Sequence, residues 1–185
     1  MPDRELLLIS GSLREGSTNT AAITTAAALV PAGWTVSINR DMGELPHFNP
    51  DDDVDAALIA ESVARLRLAI ASSDAVMICT PEYAGALPGS FKNLLDWTVG
   101  GMEIVGKPAA WLNVSANPTR AADAHDSLRT VLGFTGADIV DAACVHAPVT
   151  RSDIDADGCV ASSAFRTAAT AAIAALAQYA TTRGT

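Results

Sequence analysis

Aromatic residues make up only 5% of the 185-residue chain, cations are outnumbered (12 Lys and Arg against 21 Asp and Glu), and cysteine occurs three times. The cation deficit gives a formal net charge of −9 and a pI near 4.6. That balance argues against general affinity for nucleic acid or an anionic membrane, either of which needs a basic face. Cys79, Cys144 and Cys159 are odd in number and lack metal-site spacing, and Cys79 sits in an apolar run, where cysteine is usually inert core. A reduced, cytoplasmic protein is expected. The first apolar run, residues 6–9, is too short for a signal-peptide core. The alanine-rich stretch near the C-terminus is shorter than the roughly 20 apolar residues that span a bilayer.

What is present is globular composition, 49% hydrophobic and 18% charged, in a length suited to one domain, 1–185. Residues 6–9 read as a strand buried on both faces, closed by Ser-Gly. A helix over 18–29 follows, then an alternating strand at 35–39 nearer the sheet edge. Residues 41–53 are rich in Pro, Gly, Asn and Asp and read as a loop. The acids 51–53 are taken as a solvated helix start, favouring the positive end of its dipole, rather than a metal site. Ile59, Val63, Leu66 and Ile70 form the core stripe of the second helix. Strands at 74–80, 109–115 and 137–149 alternate with helices beginning near Ser90, around Leu128 and at Ser162, and a polar turn at 116–120 follows the fourth strand. Phe165, Ala169, Ile173, Leu176 and Ala180 share one face of the last helix. This alternation predicts an α/β three-layer sandwich on a five-stranded parallel sheet of flavodoxin-like order 2-1-3-4-5.

In such a sheet ligands bind beyond the carboxyl ends of the strands, at the switch point between strands 1 and 3. Two unusual loops fall there. The first, "GSLREGSTNT" at 11–20, gathers hydroxyls from Ser12, Ser17 and Thr20, the Asn19 amide, helix N-terminal N–H groups and Arg14, a donor set that suits a phosphate monoester. Ser17, Thr18 and Asn19 also suit simple helix capping, but capping requires no guanidinium. The loop lacks the endings of a Walker A or dinucleotide motif. The second, "PEYAGALPGSFKNLLDW", has Pro81 and Pro88 for stiffness, Gly85 and Gly89 for close approach and Tyr83 for an aromatic face. Backbone amides from Glu82 to Gly85 could meet the edge of a planar ring; an ordinary strand-to-helix loop is the other reading. His47, His125 and His146 are read as loop or surface residues, too scattered for a metal site. No G-x-S-x-G elbow supports a hydrolase.

Together "GSLREGSTN", "PEYAGALPGSFKNLLDW" and "ELPHFNPDD" resemble the NADPH-dependent FMN reductase family of small quinone, chromate and azo reductases. The resemblance implies FMN, with its phosphate among Ser12, Leu13, Arg14, Ser17, Thr18, Asn19 and Thr20. The isoalloxazine would lie against Pro81, Glu82, Tyr83, Ala84 and Gly85, with Ser115 on the far side. It implies NADPH, or NADH, as co-substrate and a small acceptor such as a quinone, or free flavin. Hydride chemistry resides in the cofactor, so no catalytic side chain and no metal ligand is nominated; Tyr83 is expected to position the nicotinamide or the acceptor. Departures are Ala84, where many relatives have Asn, and Ala121 and Ala122, where a glycine pair is common. Phe91, Leu94, Leu95 and Trp97 exceed what a short helix needs against one sheet, which together with the resemblance predicts a homodimer or homotetramer. The rival readings are a flavodoxin-type electron carrier working with a protein partner, and a regulatory homologue that has lost FMN.

Overall fold

The computed structural model describes residues 4–55, 59–117, 119 and 121–183. The ends of the predicted single domain and part of the polar turn at 116–120 lie outside the described residues. Strands β1 (Arg4–Ser10), β2 (Trp34–Asn39), β3 (Ala75–Cys79), β4 (Pro108–Asn113) and β5 (Asp138–Ile139) form a parallel sheet of order β2-β1-β3-β4-β5. A further strand, β6 (Val145–His146), also pairs with β4 in parallel. The order is the one predicted. The fifth strand is not continuous: a 3-10 turn at Asp141–Ala143 splits the expected 137–149 run. Leu6 and Leu8 face one layer and Leu7 and Ile9 the other, which is why β1 reads as an unbroken apolar run. Strand β2 is only partly covered, as its alternation implied.

Helices α1 (Thr18–Ala27) and α5 (Ser163–Arg183) cover one face; α2 (Glu61–Ser72), α3 (Gly89–Asp96) and α4 (Ala122–Phe134) cover the other. The α5 stripe from Phe165 to Ala180 is buried as read. Three expectations are corrected. Phe91, Leu94, Leu95 and Trp97 are each at most 1% exposed within this chain, so α3 and its end carry no apolar surplus. The acids 51–53 belong to a separate 3-10 turn, Pro50–Asp53, rather than to the first turn of α2. There Asp51 and Asp52 are exposed, whereas the Asp53 carboxylate is buried on Arg67 at 2.7 Å. His125 lies on α4 and is buried, while His47 and His146 are exposed as expected.

The 41–53 segment is fixed from α3. Asn93 donates through Nδ2 to the Pro46 carbonyl at 2.9 Å and accepts the Phe48 N–H at 2.7 Å; Trp97 Nε1 donates to the same Pro46 carbonyl at 2.8 Å. Phe48 also stands edge-on to Trp97, centroids 5.0 Å apart. Thus two of the sharp residues of the second motif hold the "ELPHFNP" stretch beside the sheet.

Candidate functional site

At the switch point β1 and β3 stay paired to their last residues, Ser10 against Cys79, and the chain turns there without bulk. Gly11 donates its N–H to the Cys79 carbonyl at 2.9 Å, and a Cβ on Gly11 would overlap the Thr80 hydroxyl. No other residue fits so close an approach. Ser17 caps α1, its Oγ accepting the Asn19 N–H at 3.2 Å. The buried Asn19 side chain accepts from the Cys79 thiol at 3.3 Å, and burial pushes that thiol far above the ordinary cysteine range, as an inert core cysteine requires. Thr20 pairs with Ser10 at 3.0 Å and Ser12 Oγ accepts the Arg14 N–H at 3.3 Å. Ser17 therefore fulfils the capping alternative. The N–H groups of Thr18 and Thr20 at the helix start have no intrahelical partners, as at any helix N-terminus.

A cleft of about 470 Å³ opens between these elements, within the usual size of small-molecule sites. Its walls include Arg14, Thr18 and Asn19 from the first loop, Pro81 and Glu82 from the second, and Ser115 after β4. Six of the sequence-predicted residues thus meet in one space. Ser12, Leu13 and Thr20 line an adjoining cleft with Arg14. Tyr83, Ala84 and Gly85 are exposed and not in the wall of either. They form a tight turn in which Tyr83 and Ala86 exchange backbone hydrogen bonds of 3.0 and 3.1 Å, with positive φ at Ala84 (51°) and Gly85 (72°). The Tyr83 amide is therefore committed to Ala86. The Glu82 carboxylate accepts the Ala124 N–H at 3.2 Å and so ties the second loop to the start of α4.

Sequence reasoning missed Thr80, Val114, Ala116, Ala121, Val149, Thr150 and Arg151 in the same wall. Arg151 lies within a capping box in which the Asp153 carboxylate accepts from the Thr150 hydroxyl and from the Thr150 N–H at 2.7 Å, and these two hydrogen bonds, the hydroxyl's first, hold Asp153 below the usual carboxylate range. The Asp153 carboxylate is thereby turned to its own backbone. The run "TRSD" is a capping-box pattern, and it was the available signal. Among the described residues, Arg14 and Arg151 form no ion pair. No group of three His, Cys, Asp or Glu among them could hold a metal. The cleft is a cationic pocket in an anionic protein, closed at one end by a phosphate-type donor set and lined at the other by proline, Thr80 and Ser115. Those residues fit a phosphorylated planar cofactor.

The model of the NADPH-dependent FMN reductase family matches residues 4–150. The chain belongs to that family. It is 40% identical over 134 residues to an NAD(P)H-dependent FMN reductase of Pseudomonas aeruginosa, covering 71% of each chain. It is 30% identical over 161 residues to a 2-hydroxy-1,4-benzoquinone reductase of a Burkholderia species, covering 85% of this chain and 86% of the relative. Among solved structures it resembles the FerB flavoenzyme, an NAD(P)H:acceptor oxidoreductase from Paracoccus denitrificans, with TM-score 0.78 and 29% identity over 97% of this chain and 98% of that one. As a member of the FMN reductase family the chain is an NAD(P)H oxidoreductase with FMN as its cofactor. Among the described residues no helix is long and apolar enough to cross a membrane.

Proposed function

We propose that this FMN reductase passes reducing equivalents from NADPH, through FMN held in the 470 Å³ cleft, to a small acceptor such as a quinone or to free flavin. The observation that carries the reading is the meeting of Arg14, Thr18 and Asn19 with Pro81, Glu82 and Ser115 at the switch point. When bound, FMN supplies the redox chemistry. Arg14 and the α1 N-terminus hold the phosphate, the dipole and guanidinium favouring its charge. Pro81 and the Glu82 backbone border the ring on one side and Ser115 on the other. Glu82 contributes through its backbone, because its carboxylate is engaged with α4. The quinone-reducing relatives support the acceptor class.

The test is anaerobic. Purified protein loaded with FMN should perturb the visible flavin band, lose it on adding NADPH, and regain it on adding a benzoquinone. Binding without bleaching would replace this reading with a flavodoxin-type carrier, and no binding would leave a regulatory homologue. Tyr83, 52% exposed in the loop after β3, is the residue this reading assigns to positioning the nicotinamide or the acceptor. Tyr83→Ala should raise the KM of one of them severalfold; turnover and KM values unchanged for both would remove that role. Self-association as a dimer or tetramer belongs to the same reading, now through the exposed Val99, Met102 and Val105 that follow α3. A concentration-independent monomer in sedimentation would dispose of it.

A further inference from the structure

The segment from Ala147 to Val160 carries the chain from β6 toward α5, and its course follows from topology. Helices α1 and α5 cover the same face of the sheet, so this connection passes the carboxyl ends of the strands beside the start of α1. It is fixed at both ends. Ala147 and Val149 donate their N–H groups to the Asn113 and Val114 carbonyls at 2.8 and 3.1 Å, and the Val160 N–H donates to the buried Thr25 hydroxyl of α1 at 2.7 Å. Between the anchors, Ile154, Asp157 and Gly158 border a small cleft with Gly16 and Ser17 of the first loop. Arg151 stands on this strap, in the wall of the 470 Å³ cleft that Arg14, Thr18 and Asn19 also line.

Three observations give the Arg151 guanidinium a partner outside the chain. It is exposed and forms no ion pair among the described residues, although the chain carries a net charge of −9. Secondly, the acids near it are engaged elsewhere. Asp153 accepts from Thr150, Asp155 accepts the Asp157 and Cys159 N–H groups at 3.0 and 2.8 Å, and Glu82, the one acid among the described residues of the wall, accepts from Ala124. Asp157 borders the neighbouring cleft and not this one. Thirdly, the family match ends at residue 150, so Arg151 stands outside the donor set by which the resemblance places the phosphate. A phosphate monoester has three acceptor oxygens and close to two negative charges, enough for two guanidiniums, and the planar fork of arginine matches it.

We propose that Arg151 is a second arginine on the FMN phosphate, meeting it from the strap while Arg14 and the α1 N-terminus hold it from the first loop, and that it sets a preference for FMN over riboflavin. The inference rests on FMN occupying this cleft. One charge-assisted contact of this kind at an exposed arginine should contribute about tenfold in affinity.

The test is an equilibrium one and needs no turnover. Purified protein stripped of flavin is titrated with FMN and with riboflavin, and binding is read from flavin fluorescence. Arg151→Ala should weaken FMN by about tenfold and leave riboflavin within about twofold, and Arg151→Lys should recover part of the loss. Arg40→Ala is the control for charge alone: Arg40 is exposed, follows β2 and lines the adjoining cleft, so its removal costs the same charge and should leave the ratio of FMN to riboflavin affinity within about twofold. An Arg151→Ala loss shared equally by FMN and riboflavin would reduce Arg151 to a structural part of the strap and overturn the proposal. So would an Arg151→Ala variant that bound FMN as tightly as wild type, or an equal loss of FMN affinity in Arg40→Ala. A wild type that bound neither flavin would overturn the FMN reading itself.

Discussion

Ala121 carries a left-handed backbone, φ 66° and ψ 7°, at the N-cap of α4, where its side chain makes no capping hydrogen bond. Ala84 is held at φ 51° in the turn beside the cleft. Left-handed geometry costs an L-residue with a Cβ about 1–2 kcal/mol, while glycine and asparagine tolerate it. Ala84 and Ala121 are two of the three positions, with Ala122, at which the sequence departs from the family pattern, and both hold a backbone that asparagine or glycine adopts more readily. Ala121→Gly and Ala84→Asn should each stabilise the protein by about 0.5–1 kcal/mol, less than the full relief because glycine also frees the unfolded chain. Urea denaturation midpoints would check this, and a fall in midpoint for both would disprove it. His125 makes a different residue-scale prediction. Its Nδ1 lies 2.6 Å from the Ala121 carbonyl, its Nε2 is buried without a partner, and burial lowers its pKa from the ordinary 6.5. The unfolded state therefore binds a proton that the folded state refuses, so stability contributed by the neutral ring is complete above pH 6.5 and declines as pH falls below it. His125→Phe should flatten that part of the stability curve between neutral and mildly acid pH; an unchanged slope would assign the acid sensitivity elsewhere.

At the scale of elements, a single guanidinium joins three segments. Arg67 on α2 reaches Asp53 at 2.7 Å in the 3-10 turn and the Trp97 carbonyl at 2.9 and 3.0 Å, and Glu103 lies 3.9 Å from it. Gly100 and Gly101 leave room for the two carboxylates, since a Cβ on either would overlap them. Removing Arg67 leaves buried acids without their cation, so Arg67→Ala should cost about 3–5 kcal/mol, whereas Arg67→Ala combined with Asp53→Ala and Glu103→Ala should recover much of it. Denaturation of the single and triple variants would decide; equal losses in both would show that the cost is lost packing. This cluster also marks the boundary of what was legible. Elements with a strong period or a continuous apolar run, β1, β3, α5 and Val63, Leu66 and Ile70 of the α2 stripe, were read correctly, because their burial follows from local pattern alone; Ile59, expected in the same stripe, lies before the helix start and is only partly buried. The first switch-point loop was legible from donor chemistry in Arg14, Thr18 and Asn19 and the second from its prolines and backbone amides in Pro81 and Glu82, whereas Ser115 came only from the family resemblance; all six meet in one cleft. Asp53 was read as solvated because its partner is 14 residues away, and such a pairing has no local signature. Phe91, Leu94, Leu95 and Trp97 looked like a surplus because the 41–53 segment, which Asn93 and Trp97 hold against α3, was taken for an unattached loop. The break in the fifth strand and the arrival of Arg151 at the cleft depend on how β6 returns to β4, which is a tertiary event.

For the molecule as a whole, two electrostatic fields oppose each other at the entrance. The chain carries a formal charge of −9 and repels a dianionic ligand at a distance, while Arg14 and Arg151 in the cleft wall attract it nearby. Salt reduces both, with a Debye length of about 10 Å at 0.1 M, but it acts most completely on charges spread over the surface. In the wild type the local pair dominates the last approach, so raising ionic strength should slow FMN association. In the double variant Arg14→Ala with Arg151→Ala only the distributed repulsion remains, and the same change in salt should speed association. Riboflavin has no phosphate and should show no trend in either protein, which separates charge from every other effect of salt on the loops. Stopped-flow flavin fluorescence at a series of ionic strengths measures all four cases. A double variant whose FMN association still slowed with salt would mean that other cations, Arg40 first among them, set the field at the entrance, and the phosphate end of the cleft would have to be reassigned toward β2.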